Sequence, residues 1–118
     1  MSWFVTIGYG DEAGYQQTER AVRDAAHAQD ARLRARGEPM GIAGAPVQVR
    51  NHGAAGVSTE PGSFLEAALP VAGFSVIEAA SLEEAVSLVS NTPCAVAQGV
   101  VEVWPLVEAS GDAAGKGD

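Results

Sequence analysis

Between residues 71 and 106 the chain spells out a strand, a capped helix and a second strand, each with its own stop signal. Residues 71–79 are rich in β-branched and aromatic types, as a largely buried strand requires. Ser81 followed three residues later by Glu84 is a capping box, in which side chains satisfy backbone N–H groups at the start of a helix. Leu82, Ala85, Val86, Leu88 and Val89 supply that helix with a buried face, and Asn91, Thr92 and Pro93 stop it. A last strand follows from about Gln98 to Leu106.

The first half repeats the order less cleanly. Residues 2–9 are aromatic and β-branched and predict a strand, which Gly10 to Gly14 end. The spacing predicts one long helix over 16–36, with Ala21, Val22, Ala25, Ala26 and Leu33 as a thin apolar stripe. Glu19–Arg23 and Asp30–Arg34 are favourable i,i+4 pairs on it. Gly37 suits the residue just past a helix, and Pro39 prevents continuation. Met40 to Ala45 and Val47 to Arg50 read as strand pieces around Pro46, with a turn at Asn51, His52 and Gly53 and a return over Val57 to Glu60. Phe64 to Leu69 suggests a short helical turn, with Phe64 as a buried anchor. Residues 1–108 thus form one α+β domain, and 109–118, rich in Gly and Ala, are expected to be a flexible acidic tail.

The two long strands carry apolar residues on both sides. Trp3, Val5, Ile7 and Tyr9 alternate with Phe4, Thr6 and Gly8, and Phe74 and Val76 oppose Val71, Gly73 and Ile77. A sheet with one wet side alternates apolar with polar residues. Two helices cover one side of a four-stranded sheet, and no third long helix remains for the other. A twin subunit would supply the cover, so a homodimer with paired sheets is expected.

Charge narrows the partners. The formal net charge is -8, so a nucleic acid partner is not expected. Arginines cluster on the first helix, but Glu19, Asp24 and Asp30 are interleaved with them. Cys94 is the single cysteine, which excludes an intrachain disulfide and a cysteine zinc site within one chain. No apolar run reaches the roughly 18 residues of a membrane span, and the N-terminus lacks the pattern of a signal peptide. A reducing cytoplasm is the expected setting, with no membrane partner, no metal and no cofactor.

With these landmarks in order, the chain resembles the YCII-related proteins of the DGPF type. Those members open with a strand ending in Tyr-Gly-Asp-Glu, matched by Tyr9, Gly10, Asp11 and Glu12. Leu33 and Gly37 match the end of their first helix. Their Asp-Gly-Pro-Phe-Ala-Glu-Thr-Lys-Glu signature falls on residues 61–69, where Gly62, Phe64 and Glu66 are kept and Pro61, Ser63, Ala68 and Leu69 depart from it. Residues 99–106 resemble their closing Val-Glu-Val-x-Pro strand. The resemblance implies a ferredoxin-like sandwich, two helices on one face of an antiparallel sheet, dimerising as an α/β barrel. Related YCII-like lyases act on small rings with a first-helix His paired to an Asp just before the Pro that follows the second helix. Here Thr92 holds the Asp slot, and Ala26, one residue from His27, holds the His slot.

Candidate chemistry is sparse. His27 serves as a general base only with a partner and a pocket; otherwise it is a solvent-facing helix histidine. Asp11, Arg50 and Glu66 would converge at a barrel rim and bind a polar group, with Phe64 beside them, or stand as ordinary loop charges. His52 is read as a turn residue and Cys94 as a small core residue without a basic neighbour to activate it. The Gly8 to Gly14 stretch lacks dinucleotide-loop spacing, and its Asp11 and Glu12 would repel a pyrophosphate. The resulting expectation is a small homodimer that binds a small polar or aromatic ligand in the barrel. The alternatives are a cofactor-free lyase or isomerase of small cyclic substrates with His27 as base, and a regulatory interaction module.

Overall fold

The structure is a computed structural model and describes residues 1–107; the tail expected at 109–118 lies outside the described residues. Its elements run β1 (Ser2–Tyr9), α1 (Glu12–Gln17), α2 (Arg20–Ala35), β2 (Met40–Ile42), β3 (Val47–Arg50), β4 (Ser58–Pro61), β5 (Val71–Ala79), α3 (Leu82–Val89), α4 (Pro93–Val96) and β6 (Val100–Pro105). Four strands form one antiparallel sheet in the order β2-β5-β1-β6, and β3 and β4 form a separate two-stranded arm.

The register sorts the two sides of the sheet. Phe4 pairs with Ile77, Thr6 with Ser75 and Gly8 with Gly73, so these point one way. Phe4, Ile77 and Ala79 close a core with Ala85 and Val89 of α3, and Leu88, Val101 and Val103 pack against it. The hydroxyls of Thr6 and Ser75, both buried, hydrogen-bond to each other, which satisfies two polar groups in that apolar layer. Helix α2 lies alongside α3, where the Gln29 side-chain amide donates to the Leu88 carbonyl at 2.8 Å. The second helix starts as its capping box predicts: the Ser81 hydroxyl accepts from the Glu84 N–H at 3.1 Å, and the Glu84 carboxylate reaches back to a backbone N–H at Ala80. Gly37 takes a φ of 86°, the left-handed conformation that closes α2.

On the opposite, bare side stand Trp3, Val5, Ile7, Tyr9, Phe74, Val76 and Trp104. Ile7 and Tyr9 are buried between cross-strand neighbours, but Trp3, Phe74 and Trp104 are 44%, 47% and 55% exposed in the single chain. The Tyr9 hydroxyl donates to Glu102 at 2.8 Å, and that hydrogen bond, burial and the nearby negative charge together push the phenol's pKa up. The indole N–H of Trp104 donates to the same carboxylate oxygen at 3.2 Å. A register shift between Gly8 and Tyr9 sets Tyr9 against Val71, so Val71 falls on the bare side rather than with Gly73 and Ile77.

Four expectations from the sequence need correction. The helix expected over 16–36 is broken: Thr18 is extended, and its hydroxyl donates to the Gly14 carbonyl at 2.9 Å, a local bond that competes with helix continuation. The chain therefore folds into α1 and α2, and the ion pair on α2 is Arg20–Asp24 at 3.9 Å rather than Glu19–Arg23 or Asp30–Arg34. Residues 64–69 form no helix, and Phe64 is 78% exposed rather than anchored. Leu82 and Val86 are about half exposed, because α3 sits on the sheet through Ala85 and Val89. Pro93 does not only stop a helix; it opens α4 at the first helical position, where its missing N–H costs nothing.

The core and the exposed ring separate cleanly in a urea melt. Phe4→Ala should cost about 3–5 kcal/mol, whereas Phe64→Ala should move stability by less than about 0.5 kcal/mol. Equal losses at the two positions would place the core wrongly.

Candidate functional site

A cleft of about 560 Å³ opens between the helix-covered side of the sheet and helices α2 and α4. Its floor is Thr6, Gly8, Gly73, Ser75 and Val101, and its helical wall includes Leu33, Val89 and Ala97. This volume lies in the range of small-molecule sites, which are mostly apolar with a few placed polar groups.

The polar groups come from three elements. Asp11 ends the β1 connection and caps α1, its carboxylate accepting from the Gly14 N–H at 2.9 Å. Gly14 has no room for a side chain: a Cβ there would stand 2.7 Å from the Ala97 carbonyl oxygen, so α1 lies directly on the end of α4. That close approach sets the position of Tyr15. The Tyr15 hydroxyl meets Nε2 of His27 at 2.7 Å, and the two rings stand edge to face with centroids 5.8 Å apart. Arg23 lays its guanidinium over the other side of the Tyr15 ring, 4.8 Å from its centroid, a cation–π contact. His27, Tyr15, Asp11, Glu12, Asp30 and Arg34 all border the cleft.

Tyr15 was not legible as a site residue, for a geometric reason. Tyr15 lies just before the helix expected over 16–36, and if that helix were continued back to it, residues 15 and 27 would stand about 18 Å apart along the axis. The break at Thr18 folds α1 back and closes that distance to a hydrogen bond. In the Nδ1–H tautomer of the imidazole the phenol O–H donates to Nε2; in the Nε2–H tautomer Nε2–H donates to the phenol oxygen. The contact is therefore kept in either tautomer.

Cys94 lies against the sheet at Gly8, where a Cβ would stand 2.9 Å from its Sγ. Burial pushes its thiol pKa up, and the carboxylate of Asp30 adds to the rise. This is the opposite of an activated nucleophile.

Of the residues singled out in the sequence, His27 and Asp11 border the cleft. Arg50, Phe64 and Glu66 do not. Arg50 lies on the arm, bonded to Gln48 at 2.8 Å, 3.5 Å from Glu60, and 5.8 Å from the centre of the Phe64 ring. Glu66 is exposed in the connection that follows. Arg50 and Phe64 thus meet each other, on a part of the chain separate from His27 and Asp11. Thr92 occupies the slot of the expected Asp, and its hydroxyl is spent on the Val89 carbonyl at 2.6 Å. Among the described residues no group of three or more His, Cys, Asp or Glu is placed to hold a metal ion. No helix among them is long and apolar enough to cross a membrane.

With strand order, helix positions and the His27 wall in place, the comparison with family models is decisive. The model of the YCII-related domain matches residues 2–110. The chain belongs to the YCII-related family. A comparison with curated proteins gives no match. Within this YCII-related domain the two slots of the implied His–Asp pair hold Ala26 and Thr92, and His27, an exposed residue one position on, meets Tyr15.

Reactivity of the cleft thiol tests its electrostatics. Cys94 should alkylate more slowly at pH 7.5 than a free cysteine, because a raised pKa leaves less thiolate. Asp30→Asn should speed the reaction, since it removes the charge that disfavours the thiolate. A wild-type rate equal to that of a free thiol would contradict both the burial and the charge.

Proposed function

We propose that this YCII-related protein is a homodimer that binds a small, neutral cyclic molecule in the cleft beside His27. The reading is carried by one observation: a mainly apolar cleft of about 560 Å³ has a hydrogen-bonded Tyr15–His27 pair on its wall. Asp11, Glu12 and Asp30 outnumber the single guanidinium of Arg34 there, which disfavours an anionic ligand. A hydroxyl or carbonyl on an otherwise apolar ring suits the floor of Thr6, Gly8 and Val101 and leaves a polar group for the pair. This places the ligand between sheet and helices rather than between two sheets.

The same pair favours a catalytic form of this reading, a cofactor-free lyase or isomerase. His27 takes a proton from carbon or oxygen of the bound ring, and Tyr15 holds the imidazole and shares the resulting charge. Proton transfer by one positioned base accounts for about 10²–10⁴-fold of rate. The Asp11, Arg50, Phe64 and Glu66 set belongs to this reading only through Asp11. The regulatory-module alternative has no comparable support in side-chain geometry.

The dimer rests on the bare side of the sheet. Full burial of one large apolar side chain is worth about 1.5–3 kcal/mol, so leaving Trp3, Phe74 and Trp104 half exposed is costly. Pairing two such faces covers all three. Reading the chain as a ferredoxin-like sandwich within an α/β barrel rests on the order β2-β5-β1-β6 once the arm is set aside. The DGPF subtype rests on Tyr9 to Glu12, Leu33, Gly37 and residues 99–106, with Gly62, Phe64 and Glu66 as the kept part of its signature.

An NMR titration with a panel of small phenols, lactones and enol-lactones tests the site. At least one member should shift Thr6, Tyr15, His27 and Val101 together, and His27→Ala should weaken that binding while leaving the fold intact. If a panel member turns over, the same variant should cost about 10²-fold or more. Shifts confined to the arm, or none at the cleft, would reject the site. Sedimentation equilibrium at micromolar concentration should give twice the chain mass of 12.1 kDa; a monomer would reject the dimer.

A further inference from the structure

The β3–β4 arm alternates like a strand pair with one buried side, yet its apolar side is bare. Val47 pairs with Pro61 and Val49 with Thr59, so these four, with Val57 beyond them, share one face. Gln48, Glu60, Arg50 and Ser58 share the other. The polar face is the better covered of the two: Arg50 bonds Gln48, stands 3.5 Å from Glu60 and lies beside the Phe64 ring. The apolar face has no cover, with Val47, Val49 and Val57 60%, 66% and 68% exposed. Such patterning matches a face that is meant to be buried.

Two arguments say what buries it. First, an isolated two-stranded hairpin is marginally stable at best in water and needs a surface to pack on. The four-stranded sheet does not supply one, since the arm's strands pair only with each other. Residues 108–118 hold no apolar side chain larger than alanine, so they have little to offer either. Second, the bare sheet is a small platform for a stable dimer. Strands of eight, nine, six and three residues, at about 3.4 Å per residue and about 4.8 Å apart, have a flat footprint of about 400 Å². A standard interface takes about 800 Å² of accessible surface from each partner, which further apolar surface beside the sheet helps to reach. The arm carries the other large set of unpartnered apolar side chains in the first two-thirds of the chain, and it joins β2, at one edge of that sheet, to β5.

We propose that the apolar face of the arm, built on Val47, Val49, Val57 and Pro61, docks on a second copy of this chain and completes the interface begun by the sheet. The arm then clasps the partner, and its ordering is coupled to dimer formation. This rests on the dimer reading given above and adds to it a second contact surface.

Hydrogen exchange and sedimentation together separate the two. In wild-type protein, amides of residues 47–50 and 58–61 should exchange at least tenfold more slowly in the dimer than after dilution to monomer. Val49→Asp, which alters an exposed position of the single chain, should weaken dimerisation at least tenfold while its monomer keeps the wild-type far-UV spectrum. If the dimer forms with an unchanged constant in Val49→Asp and the arm exchanges equally fast in both states, the arm proposal falls and the sheet-face dimer stands. If wild-type protein is monomeric at every concentration, both fall. An arm equally protected in monomer and dimer would show that its own chain covers it, and would overturn the proposal.

Discussion

A sheet with apolar residues on both sides and helices for only one of them is the constraint on which the rest of this molecule depends. Phe4, Ile77 and Ala79 commit one side to α3, and Trp3, Phe74 and Trp104 leave the other looking outward. Helices α2 and α4 then stand over the covered side without filling it completely. The cleft is the gap that remains, floored by the short side chains of Gly8, Gly73 and the paired hydroxyls of Thr6 and Ser75. On the proposed reading, function and assembly fall on opposite sides of the same sheet.

Small residues set the geometry of the cleft more than large ones do. Gly8 makes room for the Cys94 sulfur, and Gly14 lets α1 rest on the backbone of α4. Thr18 then turns the chain so that Tyr15 faces back toward α2. Each step is local, and together they bring a phenol onto an imidazole twelve residues away. Arg23 stacked on the far side of Tyr15 holds the ring against His27. A hydrogen-bonded phenol–imidazole pair is assembled here, without the carboxylate partner of the arrangement that the family resemblance implies.

Much of the architecture was legible because its signals are periodic or positional. The β-branched and aromatic runs of residues 2–9 and 71–79, the Ser81–Glu84 box and the positive-φ Gly37 each report a local preference that the fold keeps. The helix break was not legible, because a single threonine hydroxyl bond to Gly14 decides it and residues 16–19, Gln-Gln-Thr-Glu, hold no Gly or Pro to mark a boundary. The cleft wall shared that fate: His27 and Asp11, singled out in the sequence, border the cleft, but Tyr15 meets His27 only through the break. Phe64 was misjudged because aromatic character predicts burial only where a surface exists to receive it, and the arm has none within its own chain.

The two tryptophans of the chain, Trp3 and Trp104, both lie on the bare side of the sheet, so the protein carries its own reporter of whether that side is covered. Their fluorescence should be shifted to the blue at micromolar concentration and move to the red as dilution uncovers the sheet. Emission typical of water-exposed indole, unchanged across the whole dilution series, would contradict the claim that a second copy shields this face.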